Sequence, residues 1–220
     1  MPRATGQKLF LKWRGEAFEV ALPLIGEFQA LNALTAAGLA LALGAPLQGV
    51  CAGMSSLKPV KGRLEFVGET ADGAGVFVDY AHTPDGLDVL IRAARPHTAG
   101  KLVVIFGCGG DRDPGKRPQM AAVAETFADS VVLTSDNPRS EDPQTIIDQM
   151  RAGLTDAQAV HENVDRAAAV QETVHRAQPG DVILLAGKGH EDYQEINGVR
   201  YPSDDRDLAR QALTARGGAS

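Results

Sequence analysis

Asp136-Asn137-Pro138-Arg139 sets an acid, an amide and a guanidinium within four residues. The segment directly follows the apolar run Ser130-Val-Val-Leu-Thr134, which reads as a strand. Asn-Pro favours a turn there, because proline pushes the residue before it out of the helical region. An arginine held in such a turn presents a planar fork matched to one carboxylate. The same residues would also serve as a plain capped loop ahead of a helix starting near Pro143, so this stretch alone leaves both readings open.

Three further segments place acid and base after an apolar run, two of them with glycine. They are Asp79-Tyr-Ala-His-Thr-Pro-Asp85, Gly107-Cys-Gly-Gly-Asp-Arg-Asp113 and Gly187-Lys-Gly-His-Glu191. The glycines of the second and third allow close backbone approach to a ligand, or positive φ. Each loop alone is a weak signal. Four of them on one sheet edge are a strong one, because open α/β sheets bind ligands beyond the carboxyl ends of their strands.

Two tempting motifs fail on chemistry. Gly110-Asp-Arg-Asp-Pro-Gly-Lys-Arg117 fits G-x-x-x-x-G-K, but arginine stands where a phosphate loop needs Ser or Thr for Mg²⁺. It also carries two aspartates where backbone amides should face anions. His190-Glu-Asp-Tyr-Gln194 opens like a zinc-protease helix and then has glutamine in place of the second histidine. The five histidines show no ligand spacing, so no zinc site is expected. Cys51 and Cys108 form no CxxC and read as reduced thiols of a cytosolic protein, inert rather than nucleophilic.

The elements that must carry these loops follow from periodicity. Residues 8–12 and 16–22 read as a hairpin around Arg14-Gly15, and 27–43 as a helix so rich in Ala and Leu that burial on several sides is expected. Leu57-Lys-Pro-Val-Lys-Gly-Arg63 reads as a basic linker. Beyond it, strands at 63–67, 74–79, 101–106, 130–134, 159–161 and 181–186 alternate with helices at 84–95, 117–128, 143–153, 163–177 and 205–215. That alternation, with fully apolar central strands, predicts an α/β fold with a mostly parallel sheet covered on both faces.

Bulk properties narrow the function. The net charge is −6, and residues 1–58 hold five Lys/Arg against three Asp/Glu, so the remainder carries the whole acidic excess. An acidic body argues against nucleic acid as a partner. No apolar run approaches the roughly 20 residues that span a bilayer, and the first residues lack a signal-peptide core.

Taken together, Asp79-Tyr-Ala-His-Thr-Pro-Asp, Phe106-Gly-Cys-Gly-Gly-Asp-Arg-Asp, Asp136-Asn-Pro-Arg139 and Ala186-Gly-Lys-Gly-His-Glu-Asp-Tyr-Gln194 closely resemble the Mur ligases, in order and spacing, from about residue 26 onward. The resemblance is to the members that add the third residue of the peptidoglycan stem peptide. It implies a Rossmann-like carboxy-terminal domain over 65–220, a linker at 59–64, and the tail of the ATP-binding central domain in 1–58. It also implies cytoplasmic, ATP- and Mg²⁺-dependent amide synthesis. A UDP-N-acetylmuramoyl dipeptide is phosphorylated on its terminal carboxylate, and the amine of the incoming amino acid attacks the acyl phosphate. Positioning and cationic charge carry most of such a step.

Carried over residue by residue, the resemblance makes Arg112, Asp136, Asn137, Arg139, Gly187 and Glu191 the grip on the amino acid. Asp-Asn-Pro-Arg is the pattern of members that use meso-diaminopimelate. Arg139 would take its distal carboxylate and Glu191 its distal ammonium, so that lysine would leave a buried guanidinium unpaired. Asn32 is implied at adenine, with Arg63 and Asp79 at base and ribose. Read without the family, Asn32 caps a neighbouring loop, Arg63 is solvated and Asp79 caps the next helix.

The chain departs from the family in two ways. G-x-x-x-x-G-K-[ST] occurs nowhere, and Gln29 stands where many relatives have asparagine. The chain is therefore expected to be a carboxy-terminal part of such an enzyme, without catalytic or metal-binding residues of its own. Its helix at 27–43 is expected to expose apolar surface and to promote self-association. The alternatives are a non-catalytic amino-acid-binding module with the same pocket, and an independent Rossmann enzyme. The second would need a G-x-G-x-x-G after the first strand, where Asp79-Tyr-Ala-His stands instead.

Overall fold

The computed structural model describes residues 6–156 and 160–217. The chain opens with the expected hairpin, β1 (Gln7–Trp13) antiparallel to β2 (Glu16–Leu22). Arg14 and Gly15 close it at φ of 49° and 92°, the positive values that a two-residue turn between twisted strands requires. Helices α1 (Glu27–Ala42) and α2 (Leu47–Ser55) follow, and sequence periodicity did not show the second. Together they enclose a small core of Val20, Leu22, Leu24, Ala30, Ala33, Ala37 and Met54.

The expectation that α1 is buried on several sides does not hold, whereas the apolar exposure expected of it is seen. It buries one narrow face of Gln29, Ala30, Ala33 and Ala37, while Leu31 and Leu39 are more than half exposed. Alanines let the helix pack closely, but the elements present cover only that one face.

The rest of the chain is a six-stranded sheet. Its strands are β3 (Glu65–Glu69), β4 (Gly75–Asp79), β5 (Leu102–Phe106), β6 (Ser130–Thr134), β7 (His161–Asn163) and β8 (Val182–Ala186). Their spatial order is β3-β4-β8-β5-β6-β7, and every pair is parallel except β3 with β4. The short strand expected at 159–161 sits at His161–Asn163; Ala159 lies outside the described residues. A second hairpin, β9 (Tyr193–Ile196) with β10 (Val199–Pro202), stands apart from this sheet.

Helices cover both faces, as continuous apolar strands demand. On one side α3 (Pro84–Ala94), α4 (Lys116–Phe127) and α5 (Pro143–Arg151) pack Leu87, Ile91, Met120 and Ile147 against Phe77, Val104, Phe106 and Leu133. On the other, α6 (Arg166–Arg176) and α7 (Asp205–Ala215) pack Val170, Val174 and Leu213 against Val78, Ile105, Val132 and Ile183. Alternate residues of β5 thus serve opposite cores, the period of two of a strand buried on both sides. Each fully buried large apolar side chain contributes about 1.5–3 kcal/mol.

Helix starts fix where the loops end. Thr83, Asp142, Asp165 and Asp204 each accept a backbone amide of the following first turn, at 2.9–3.1 Å. The presumed linker is not loose. A Cβ at Gly62 would lie 2.2 Å from the His190 nitrogen, and Gln29 donates to the Arg63 carbonyl, so this segment is pinned against the sheet edge.

Candidate amino-acid-binding cavity and adjoining groove

Strands β4, β8, β5 and β6 lie side by side and parallel, with Asp79, Ala186 and Phe106 in register. The four polar loops therefore leave one edge of the sheet abreast. They enclose a cavity of about 430 Å³ whose lining includes Arg112, Asp136, Asn137, Arg139, Gly187 and Glu191. All six residues expected to grip an amino acid are thus brought together. Tyr80, His82, Lys116 and Tyr193 complete much of the wall.

Arg139 is held before any ligand arrives. Its backbone sits at φ 52°, its N–H donates to the Glu195 carbonyl at 2.9 Å and its carbonyl accepts from Asn197 N–H at 2.7 Å. Its Nη1 donates to the Gly110 carbonyl at 2.7 Å, and Nε lies 3.9 Å from the Glu195 carboxylate. Backbone held in the left-handed region costs a bulky residue about 1–3 kcal/mol and persists only where surroundings enforce it. Here the β9–β10 hairpin enforces it.

Asn137 is buried, and its partners fix which way its amide faces. Oδ1 accepts from Glu195 N–H at 2.9 Å and from Lys188 Nζ at 3.4 Å, which leaves Nδ2 to donate to Glu191 Oε2 at 2.8 Å. Lys188 is fully buried and also donates to the Tyr193 carbonyl. Burial pulls its ammonium below the usual lysine range, against Asp136 and Glu191, which favour the charge. Asp136 folds Oδ1 back onto Asn137 N–H at 2.6 Å. Gly187 has φ 110°, and a Cβ there would come within 2.7 Å of Asp136 Oδ2, so a side chain would drive the two walls apart.

Cys108 lies at the cavity floor. Burial pushes its thiol up to about 12, with Asp136 adding to the rise and Lys116 opposing it. A thiol so far from ionising is a poor nucleophile. Iodoacetamide at neutral pH should leave Cys108 unmodified in the folded chain and label it once the chain is denatured, as read by peptide mass spectrometry.

A second concavity of about 300 Å³ lies beside the first, lined by Phe28, Arg63, Asp79, Ala81, Asp85 and Gly86 among others. The Asp79 carboxylate accepts Leu64 N–H and Ala81 N–H, both at 2.7 Å. Burial raises its pKa, and those two amides partly offset the rise. It does not cap the next helix; Thr83 does. The Arg63 guanidinium stacks 4.8 Å above the Tyr80 ring, so Tyr80 stands between groove and cavity. Asn32 is exposed on α1 and is not among the residues lining the groove.

Residues 62–189, more than half of the chain, match the family model described as Mur ligase, glutamate ligase domain. The chain belongs to the Mur ligase family. A protein of Chelativorans sp. (strain BNC1) named UDP-N-acetylmuramoyl-L-alanyl-D-glutamate--2,6-diaminopimelate ligase is 46% identical over 210 residues, covering 96% of this chain and 43% of that protein. A protein of the same name from Ralstonia nicotianae is 52% identical over 199 residues, covering 89% of this chain and 38% of that protein. A solved structure of a ligase so named superposes with a TM-score of 0.78 at 40% identity, over 99% of this chain and 45% of that one. Mycobacterium tuberculosis folylpolyglutamate synthase, solved with ADP and AMPPCP, gives a TM-score of 0.64 at 25% identity, over 95% of this chain and 45% of that one. The chain spans less than half the length of these relatives.

Sequence reasoning missed several groups that shape this Mur ligase cavity. The β9–β10 hairpin was marked by Asn197-Gly198, a two-residue turn signal between two strand-like runs. Glu195, which sits on it, and the buried Lys188 had no local signal of their own. Arg117 was met only as the wrong residue in a failed phosphate loop. It is buried, with Nη1 and Nη2 paired to Glu141 at 2.7 and 2.8 Å and Nη2 donating to the Gly109 carbonyl at 3.1 Å. The other failed motif runs from a turn into β9, so His190 and Gln194 share no helix face.

Proposed function

We propose that this chain is the part of an ATP-dependent ligase that grips meso-diaminopimelate for addition to UDP-N-acetylmuramoyl-L-alanyl-D-glutamate in the cytoplasm. On this reading residues 1–58 close the ATP-binding central domain, 59–64 connect it, and 65–220 form the amino-acid-binding domain. The observation that carries the reading is the charge pattern of the larger cavity. Three cations, Arg112, Lys116 and Arg139, and three carboxylates, Asp113, Asp136 and Glu191, line one space. Meso-diaminopimelate has two carboxylates and two ammonium groups, so each head finds an opposite charge.

Arg139 receives the distal carboxylate end-on, because its Nε side already faces Glu195. Glu191, oriented by Asn137, receives the distal ammonium. The nucleophilic amine must be deprotonated and aimed at the activated carboxylate. The contribution of these residues is to fix the amino acid at both ends, which converts a bimolecular encounter into a positioned one. ATP, when bound, would supply the phosphoryl group that makes the carboxylate an acyl phosphate, from which phosphate can leave. Arg63, Asp79 and the Phe28 ring offer a cation, an acceptor and an aromatic face suited to a nucleoside, and the folylpolyglutamate synthase neighbour was solved with adenine nucleotides. Asn32 is assigned to adenine only on the family pattern. Mg²⁺ is assigned, on the family pattern alone, to the part of the enzyme outside this chain.

Titration calorimetry tests the assignment. Meso-diaminopimelate is expected to bind at least about tenfold more tightly than L-lysine, the effect of one charge-assisted contact between its distal carboxylate and the half-buried Arg139. Equal affinity for the two would overturn it, and would favour a generic amino-acid-binding module. No helix among the described residues is long and apolar enough to cross a membrane. The purified chain should show no ATP turnover above background in a phosphate-release assay, because its sequence has no G-x-x-x-x-G-K-[ST].

A further inference from the structure

The cavity depends on loops that the sheet itself does not join. Asp136 follows β6 and Gly187 follows β8, but β5 lies between those strands, so no ladder hydrogen bond links their ends. Asn137 joins the loops inside the cavity, through Lys188 and Glu191, and a second side chain joins them from behind. Arg166, at the start of α6, donates from Nη1 to the Ser135 carbonyl at 3.2 Å and from Nη2 to the Ala186 carbonyl at 3.0 Å. These carbonyls belong to the residues immediately before Asp136 and Gly187. The rest of the guanidinium is locked by Asp205 at the first turn of α7, with Nε to Oδ1 at 2.7 Å and Nη2 to Oδ2 at 2.6 Å. Both side chains are essentially fully buried, and neither lines the cavity.

We propose that Arg166, clamped by Asp205, is a positioning residue that sets the spacing between the two loops facing each other across the amino-acid cavity. A buried ion pair is a weak source of stability, since well-packed apolar residues of similar volume usually do as well. Its value here is geometric. A planar cation with donors on three sides can hold a carboxylate and two carbonyls from separate strands at fixed distances, which neither lysine nor an apolar side chain can do. Burial opposes the charge of Arg166, but Asp205 outweighs it, with Asp136 and Glu191 adding to the effect, and the group stays cationic. The inference rests on the reading above only for what the cavity holds.

The test is amide hydrogen exchange on the ligand-free 220-residue chain, so its outcome is separate from whether the cavity takes diaminopimelate. The double variant Arg166→Met with Asp205→Leu removes both charges without stranding either. Arg166→Lys keeps the cation and loses the bridge. The amides of Arg139, Gly187 and Glu191 are hydrogen-bonded in the two loops, and those of β5 report the core. In both variants exchange at the three loop amides is expected to accelerate together by about tenfold or more, with β5 unchanged. Unchanged loop exchange, or acceleration shared equally with β5, would reduce the pair to ordinary scaffolding and overturn the inference.

Discussion

Replacing Arg139 by alanine weakens binding of meso-diaminopimelate by about 2–3 kcal/mol, on the order of 30–150-fold, and leaves lysine within about threefold. The asymmetry is the point. A lysine side chain brings no distal carboxylate, so it has nothing to lose with the guanidinium. The backbone contributes little to the difference, because alanine at φ 52° keeps much of the strain already present in the native turn. Glycine at the same position should relieve that strain and fold at least as stably while losing the same affinity. Arg139→Lys should not rescue binding, since an ammonium cannot present two parallel donors. Calorimetry of the three variants against both amino acids, at one fixed ionic strength, checks each statement.

A large loss of stability is expected from Glu141→Ala, at about 3–5 kcal/mol in urea unfolding. Arg117 is only 1% exposed, and Glu141 satisfies both of its terminal nitrogens. Removing the carboxylate leaves a buried cation with Gln149 Oε1 at 2.6 Å and the Gly109 carbonyl as its remaining acceptors. Pairing Glu141→Leu with Arg117→Met should restore much of the loss, because no charge is then stranded. The same pair predicts a pH dependence. Hydrogen bonds from Arg117 hold the Glu141 carboxyl at about 2, helped by the Asp111 amide, against an ordinary value of 4.5. A folded-state pKa below the unfolded one contributes stability that is complete above about 4.5 and is lost as pH falls toward about 2. Urea midpoints of the wild type should decline across that window, and those of the double variant should decline less.

The central sheet was legible because its chemistry is local. Leu102–Phe106 and Val182–Ala186 are unbroken apolar runs that only a doubly covered strand accommodates, and Pro84 and Pro143 announce their helices. The cavity residues were legible for a different reason. Their motifs sit at strand ends, and a parallel sheet must bring such ends to one edge. What stayed hidden is what no local pattern encodes. Arg166 meets Asp205 across 39 residues of sequence, and Arg117 meets Glu141 across 24. Helix α1 misled for the opposite reason. Its composition reports the apolar surface that it could bury, whereas burial depends on the neighbours present, and here Leu39 is 63% exposed. The exposure of Asn32 on the same helix was not legible for that reason too.

A structure of this chain with meso-diaminopimelate bound addresses the central claim most directly. The distal carboxylate is expected within hydrogen-bond distance of Arg139, and the distal ammonium against Glu191, with the loop at 136–139 unmoved. A ligand whose distal carboxylate turns to Lys116 instead, leaving Arg139 on the Gly110 carbonyl, would contradict it.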